Sequence, residues 1–184
     1  MGTFLDKFIR TFRFMCLRQG APEKIASLLD IGCGPDPWFL RFPKKLAPEA
    51  KIVALDQEPF IFSYPGLSFV QLQVKESLPF PDSGFDCVSL LAVIEHLDFP
   101  NELFKEIYRV LRPEGKVILT TPTKLIKPIW ETLARLRLIK DTADEHQQYF
   151  SKTKLESLLR QTGFIIEKSI YFELGLNLFI RARK

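Results

Sequence analysis

Short apolar runs and amphipathic segments alternate along the chain. The apolar runs predict five strands, at residues 27–31, 51–55, 67–74, 85–91 and 116–121. Helices are predicted at 37–46, 101–111 and 152–161, with further amphipathic segments at 3–18 and 124–140. Two final strands, 164–172 and 176–183, are separated by only three residues and therefore form a hairpin. This order predicts a three-layer α/β fold with a seven-stranded, mostly parallel sheet and an antiparallel C-terminal strand.

The first predicted strand runs into two closely spaced glycines. Gly32 and Gly34 follow the apolar residues 28–31, and a residue without a Cβ permits positive φ and close approach of a ligand to the backbone. Asp36 suits an N-cap and Pro37 suits the first turn of a helix. A strand, a glycine turn and a helix in this order are typical of nucleotide-like ligand sites, although a tight turn that binds nothing has the same pattern.

Composition and charge limit the classes of protein to which this chain can belong. The length of 184 residues and the hydrophobic content of 46% predict one domain, residues 1–184, with a sizeable core. The net charge of +4 comes from scattered basic residues, so no nucleic-acid partner is expected. Three cysteines without metal-ligand spacing predict a reduced, cytoplasmic protein and no metal site. No apolar run approaches the roughly 18 residues of a membrane span, so no transmembrane helix is expected. Charged residues interrupt the apolar N-terminal stretch, so no signal peptide is expected there.

Five stretches resemble one family, in the right order. Leu29-Asp30-Ile31-Gly32-Cys33-Gly34 resembles the first motif of class I S-adenosylmethionine-dependent methyltransferases. Asp56 matches the family's ribose-binding acid, and residues 78–97 resemble the segment around its fourth strand. Residues 103–115 resemble its leader helix and the turn before strand five, and the terminal hairpin resembles its last two strands. The resemblance covers residues 25–184 and implies the Rossmann-like methyltransferase fold.

The resemblance also implies a cofactor, S-adenosylmethionine, and a set of contacts. Gly32 and Gly34 would let the backbone approach its methionyl part, Asp30 would orient the loop or the cofactor's amino group, and Gln57 would border the adenine. Asp56 lies 22 residues beyond Gly34, close to the roughly 20 residues usual for a ribose-binding acid, and a carboxylate there accepts hydrogen bonds from both ribose hydroxyls. The predicted cofactor-binding set is completed by four further residues: Cys33, Gln73, Val74 and Leu91.

Two positions depart from the family pattern. Gln73 stands where the family often has an acid that meets the adenine amino group, and its side chain can both donate and accept a hydrogen bond. Asp36 stands where a third glycine is usual, and its carboxylate would repel the cofactor's own carboxylate unless it turns away as an N-cap. We expect the N-cap.

Methyl transfer is an in-line displacement, for which the protein mainly supplies positioning and a dry site. A general base is needed only for a protonated acceptor. His96, after strand four, is the candidate base, because histidine is the side chain that most readily takes up and releases a proton near neutral pH, or it only shapes the pocket. His146 lies in a segment that resembles the family's cover over the acceptor pocket, and is a second candidate base or acceptor contact.

Two basic amphipathic segments are the candidate specificity elements. Residues 3–18, within an N-terminal helix and linker at 1–22, either lie on an anionic membrane or pack on the domain and cover its ligand site. Residues 124–140 belong to a predicted acceptor-site insertion at 123–150. The apolar content of both segments predicts a small-molecule or lipid-like acceptor, and leaves peripheral membrane contact and the oligomeric state open.

The predicted function is therefore methyl transfer from S-adenosylmethionine to such an acceptor. A nicotinamide-dependent oxidoreductase is one alternative, but the third glycine of its Gly-x-Gly-x-x-Gly fingerprint is replaced by Pro37. A non-catalytic, methyltransferase-like module that binds a partner or a membrane through its basic helices is the other.

Overall fold

The computed structural model describes residues 15, 25–34, 49–59, 66–74, 77–128 and 148–184. The predicted helix 37–46, Asp36, Pro37 and His146 lie outside these ranges. Of the two basic amphipathic segments, only Met15 and residues 124–128 fall inside them. Predictions that concern the other residues of those segments stay predictions.

Seven strands form one sheet, in the order β3-β2-β1-β4-β5-β7-β6. The first five are mutually parallel, whereas β7 runs antiparallel to both of its neighbours. This confirms the mostly parallel sheet with a reversed C-terminal strand. The strands are β1 (Ser27–Ile31), β2 (Lys51–Asp56), β3 (Leu67–Gln71), β4 (Phe85–Leu91), β5 (Leu111–Pro122), β6 (Ile165–Phe172) and β7 (Asn177–Arg183).

Two described helices pack on one face of this sheet. Helix α1 (Pro100–Val110) buries Leu103, Phe104 and Ile107, and begins with a proline, which needs no N–H partner in a first turn. Helix α2 (Lys152–Thr162) begins at Ser151, whose hydroxyl accepts a hydrogen bond from the Lys154 N–H, and ends at Gly163 with φ of +108°. No helix in the described ranges is both long and apolar enough to cross a membrane.

The core has a part on each face of the sheet. Leu29, Ile31 and Val88 belong to the larger cluster, which the two helices cover. Leu28 and Cys87 belong to a smaller cluster on the opposite face, together with Leu91. Alternate strand residues thus enter different clusters, as the two-residue period of a strand requires. The helices of the third layer predicted from the sequence fall outside the described ranges.

Strands β3 and β5 have bounds that differ from the predicted ones. Their bounds depend on where the partner strands begin and end, which the local pattern does not show. Strand β3 stops at Gln71 instead of Val74, because its partner β2 ends at Asp56, opposite Gln71. Strand β5 starts at Leu111, five residues earlier than predicted, because Leu111 pairs with Phe85 and residues 112–115 bulge out before pairing resumes.

The carboxylate of Asp86 joins the start of β1 to β4. It accepts hydrogen bonds from the Ala26 and Ser27 N–H groups, both at 2.8 Å, and from Arg112 Nη1 at 2.6 Å. Partial burial alone would raise the pKa of Asp86, but the hydrogen bonds from Arg112 and from the two backbone N–H groups outweigh it and lower that pKa below its usual range. The ionised carboxylate therefore stabilises the fold.

Replacing Asp86 with Asn is expected to lower the free energy of unfolding by about 1–3 kcal/mol at pH 7, since hydrogen bonds to a charged acceptor are lost. Because the folded-state pKa is lowered, this contribution is present above the ordinary pKa and disappears as the pH falls through the folded-state value. Urea denaturation at several pH values measures it. Asp82→Asn is the matched control, since that carboxylate is 78% exposed and pairs with Arg109, so a loss below about 1 kcal/mol is expected. Equal losses for both variants would contradict the assignment.

Candidate active site

An open cleft lies at the carboxyl edge of the sheet, where the parallel strands β1, β2, β3 and β4 end. Its volume is about 1420 Å³. From β1 the chain adds β2 and β3 on one side of the sheet, and then adds β4 and β5 on the other side of β1, so the strand order reverses between the parallel strands β1 and β4. Ligands of open α/β sheets bind outside the carboxyl ends of the strands at such a switch point. The topology therefore accounts for the position of the cleft.

The glycine loop after β1 is held against β2 by its backbone. The N–H groups of Gly32 and Cys33 donate to the Leu55 carbonyl at 2.7 and 3.2 Å. Gly32 has φ of +70°, and a Cβ there would overlap the side chain of Val93, so glycine is required. Gly34 has φ of +73°, but a Cβ there would meet no atom of the described residues within 4 Å. The positive φ alone therefore favours glycine at position 34.

Asp56, the last residue of β2, fixes the far end of this loop. One carboxylate oxygen accepts the Gly34 N–H at 2.7 Å, and the other accepts the Glu58 N–H at 3.0 Å. The carboxylate is half-buried and lines the cleft. Two carboxylate oxygens offer about four lone-pair positions, so each retains capacity for a further donor.

Asp30 lies beneath the loop and is 2% exposed. Its Oδ1 accepts the Ser89 hydroxyl at 2.5 Å, while its Oδ2 has no hydrogen-bond partner within the described ranges. Burial raises the pKa of Asp30 to about 7; the Ser89 hydrogen bond opposes this, and the charge of Asp56 adds to it. The site therefore contains a buried carboxyl group with an unused oxygen.

The other predicted cofactor residues divide into two groups. Gln57, Gln73 and Val74 line the cleft, as do Gly32 and Asp56. Cys33 and Leu91 do not line it, and neither do Asp30 and Gly34, which lie at the loop behind it. Leu91 is 7% exposed and packs in the smaller core cluster, and the Cys33 thiol points to the Gly34 carbonyl at 3.5 Å. Burial, with the nearby carboxylates, raises the pKa of Cys33 well above its usual range, so the thiol stays neutral.

His96 lies at the opposite wall of the cleft, in the 3₁₀ turn Ile94–His96 that follows β4. The Gln148 N–H and side-chain amide donate to the Glu95 and Leu97 carbonyls at 3.1 and 2.8 Å, so the start of the segment before α2 is attached to this turn. His146, two residues earlier, lies outside the described ranges. The roles of both histidines stay predictions.

Sequence reasoning missed cleft residues that follow β2, β3 and β4. Ala92 has φ of +56°, which is unusual for a residue with a Cβ, and its N–H donates to the Thr120 carbonyl. The available signal for most of the missed residues was their position shortly after a parallel strand, because ligands bind at that edge of the sheet. The missed residues are Leu55, Glu58, Leu72, Ser77, Ala92, Val93, Leu97, Asp98, Phe99 and Leu103.

The chain is similar to a named enzyme over most of its length. It is 28% identical over 162 residues to the demethylmenaquinone methyltransferase of Lactobacillus johnsonii, an alignment that covers 74% of this chain. The alignment covers 66% of that relative, just under two thirds of its length.

Two solved structures share the fold. A Mesorhizobium loti S-adenosylmethionine-dependent methyltransferase superposes with a TM-score of 0.69 at 20% identity, covering 92% of this chain and 96% of that one. A Burkholderia thailandensis 1,6-didemethyltoxoflavin-N1-methyltransferase, solved with its acceptor and S-adenosylhomocysteine, superposes with a TM-score of 0.69 at 19% identity, covering 98% and 80%. At this identity the likeness shows the fold alone.

A family model described as a methyltransferase domain matches residues 4–169, which is most of the chain. The switch-point cleft, its glycine loop and the acidic end of β2 agree with that match. The resemblance found in the sequence is confirmed: this chain belongs to the methyltransferase domain family and has the Rossmann-like fold of the class I S-adenosylmethionine-dependent enzymes.

Proposed function

We propose that the protein transfers a methyl group from S-adenosylmethionine to an apolar, quinone-like or lipid-like small molecule. The proposal rests on the position of the Asp56 carboxylate. Its half-buried carboxylate faces a switch-point cleft and is already oriented by the Gly34 and Glu58 N–H groups. The family match supports the methyl-transfer chemistry.

The residues present fit the ribose and adenine of this cofactor. A carboxylate oriented by two backbone donors, with lone pairs left over, accepts hydrogen bonds from adjacent hydroxyl groups. Gln57 and Gln73 on the cleft wall offer amides that both donate and accept, with Leu72 and Val74 as apolar neighbours. We assign the ribose to Asp56 and the adenine to these four residues.

The residues around the glycine loop fit the methionyl part. Gly32 lines the cleft and lies so close to Val93 that no side chain fits there, and Gly34 adopts a positive φ that keeps the loop turned. Asp30 lies behind the loop with one oxygen that has no hydrogen-bond partner among the described residues, which suits the positively charged amino group of a methionyl moiety. A positive charge near Asp30 would favour its ionised form.

The chemistry divides between the bound donor and the protein. S-adenosylmethionine supplies a methyl group that its sulfonium already activates. The protein orients donor and acceptor and excludes water, and His96 would accept a proton if the acceptor atom carries one. A thiolate nucleophile is disfavoured, because the raised pKa of Cys33 keeps its thiol protonated.

An apolar acceptor is supported by the wall of the cleft beyond β4. Phe99 is 49% exposed although it is aromatic, and Leu97 also lines the cleft. The wall has few charges, with Asp98 and His96 as its titratable groups. Similarity to a demethylmenaquinone methyltransferase supports a quinone-like ring as the methylated group.

Asp56→Ala is expected to weaken S-adenosylhomocysteine binding at least roughly tenfold, because charge-assisted hydrogen bonds and the loop anchor are lost. Titration calorimetry measures it. Glu49→Gln is the matched control, since it removes an exposed acid near the other end of β2, away from the cleft, and should bind normally. No heat with the unaltered protein would overturn the proposed function, and unchanged affinity in Asp56→Ala would overturn the ribose assignment.

Asp30→Asn is expected to change how stability depends on pH. Because the folded-state pKa is about 7 and the ordinary value is 3.8, the folded protein binds more protons between them, and stability falls as the pH rises through this window. Urea titrations should show this fall in the unaltered protein and a smaller one in Asp30→Asn. Ser89→Ala, which removes the hydrogen bond that lowers the pKa, should extend the fall to higher pH. Identical pH profiles for Asp30→Asn and the unaltered protein would contradict the assignment.

Radiolabelled cofactor, incubated with pools of lipids, quinones, sugars and small amines, is expected to label the quinone or lipid pool. Preferential labelling of sugars would contradict the apolar acceptor.

Once the acceptor is identified, His96→Gln should lower kcat while S-adenosylhomocysteine affinity stays unchanged, because the proton acceptor is lost and the cofactor contacts remain. An unchanged kcat would leave His96 with a role in pocket shape only.

A further inference from the structure

Two turns project side by side from the carboxyl edge of the sheet. The 3₁₀ turn Lys124–Ile126 follows β5, and the turn Glu173–Gly175 joins β6 to β7. Since Pro122 pairs with Asn177, both turns lie at the same end of these strands. A Cβ on Gly175 would be 3.5 Å from Leu125 Cδ1, so the turns are in contact.

Thr123 fastens the two turns together. Its N–H donates to the Leu176 carbonyl at 2.8 Å and its hydroxyl donates to the Gly175 carbonyl at 2.7 Å. The same hydroxyl oxygen accepts the Leu125 N–H at 3.3 Å. Thr123 is 8% exposed, so these bonds are protected from water, and the turns form one unit.

This unit presents two leucines to solvent. Leu174 is 100% exposed and Leu125 is 61% exposed. Leu174 and Glu173 both have left-handed backbone conformations, with φ of +57° and +50°, which are unfavourable for residues with a Cβ. A strained turn of this kind ordinarily carries glycine or asparagine. Here it holds a large apolar side chain in water, where folding gains nothing from it.

The charges on either side of Leu125 are positive, and one acidic residue, Glu173, precedes Leu174. Lys124 and Lys127 are exposed on either side of Leu125 and have no ion pair within the described part of the chain. The acidic side chain in the unit, Glu173, accepts a hydrogen bond from the Asn177 side-chain amide. Apolar side chains flanked by lysines are complementary to the surface of an anionic bilayer.

We propose that this leucine–lysine tip, formed by Lys124, Leu125, Lys127 and Leu174, docks on an anionic membrane surface. The two leucines would enter the acyl boundary while the lysines remain at the lipid phosphates. The tip lies at the same sheet edge as the cleft, so docking would bring the cleft to the source of an apolar acceptor. Only this last consequence rests on the proposed function; membrane docking does not require methyl transfer.

Sedimentation of the full chain with vesicles tests the proposal. The protein should pellet with phosphatidylcholine–phosphatidylglycerol vesicles and much less with phosphatidylcholine alone. Leu125→Gln combined with Leu174→Asn should reduce partitioning roughly tenfold or more, because both apolar anchors are lost. Lys124→Gln combined with Lys127→Gln should remove the preference for the anionic vesicles. The control is Ile165→Thr, which alters a 51% exposed apolar residue at the start of β6, the opposite edge of the sheet.

Each remaining outcome overturns the proposal. No pelleting of the unaltered protein excludes the docking, and pelleting retained in the leucine variant places any membrane contact elsewhere in the chain. An equal loss in Ile165→Thr makes the effect non-specific. A concentration-dependent dimer that the leucine variant abolishes assigns the tip to a second copy of the chain.

Leu174→Asn alone, at a fully exposed position that suits asparagine, tests the tip without risk to folding. Calorimetry with S-adenosylhomocysteine on each variant distinguishes failure of membrane docking from failure of the proposed function, because cofactor binding does not require the tip.

Discussion

The carboxylate of Asp56 is the point on which the site depends. It ties the loop after β1 to the residues after β2 through two backbone N–H groups, at 2.7 and 3.0 Å. The same loop is tied to the Leu55 carbonyl by Gly32 and Cys33. Without this carboxylate, two glycines would leave the loop with high conformational freedom. One side chain thus orders the cleft and remains available for a ligand.

A second constraint is the presence of buried polar side chains near the carboxyl ends of the central strands. Central parallel strands usually carry continuous apolar runs, since both faces are covered. Asp30, Ser89 and Thr120 interrupt this pattern near the carboxyl ends of β1, β4 and β5, and all are at most 2% exposed. Burying a carboxyl group that uses one of its oxygens costs stability. Such a cost at the base of a ligand loop is typical of a site where function opposes stability.

Local patterns predicted the strands and described helices well. Strands β1 and β4 have the predicted bounds, because each is a short apolar run that enters a turn. Helix α2 has its cap at Ser151 and its stop at Gly163, which are chemical signals within the sequence itself. The ends of β3 and β5 were wrong, because they depend on where partner strands end. Asp56 and the glycine loop were visible because motif spacing along the chain identifies them.

The sequence by itself determined the order of strands and helices, the family resemblance and the residues at the ends of β1 and β2. These follow from periodicity, turn chemistry and spacing, which act over a few neighbouring residues. Only the tertiary structure decided the order of the parallel strands in the sheet, where the cleft opens, and that Leu91 is buried in the core while Phe99 lines the cleft. Only it brought Leu125 and Leu174 together, since hydrogen bonds between distant parts of the chain fix that contact.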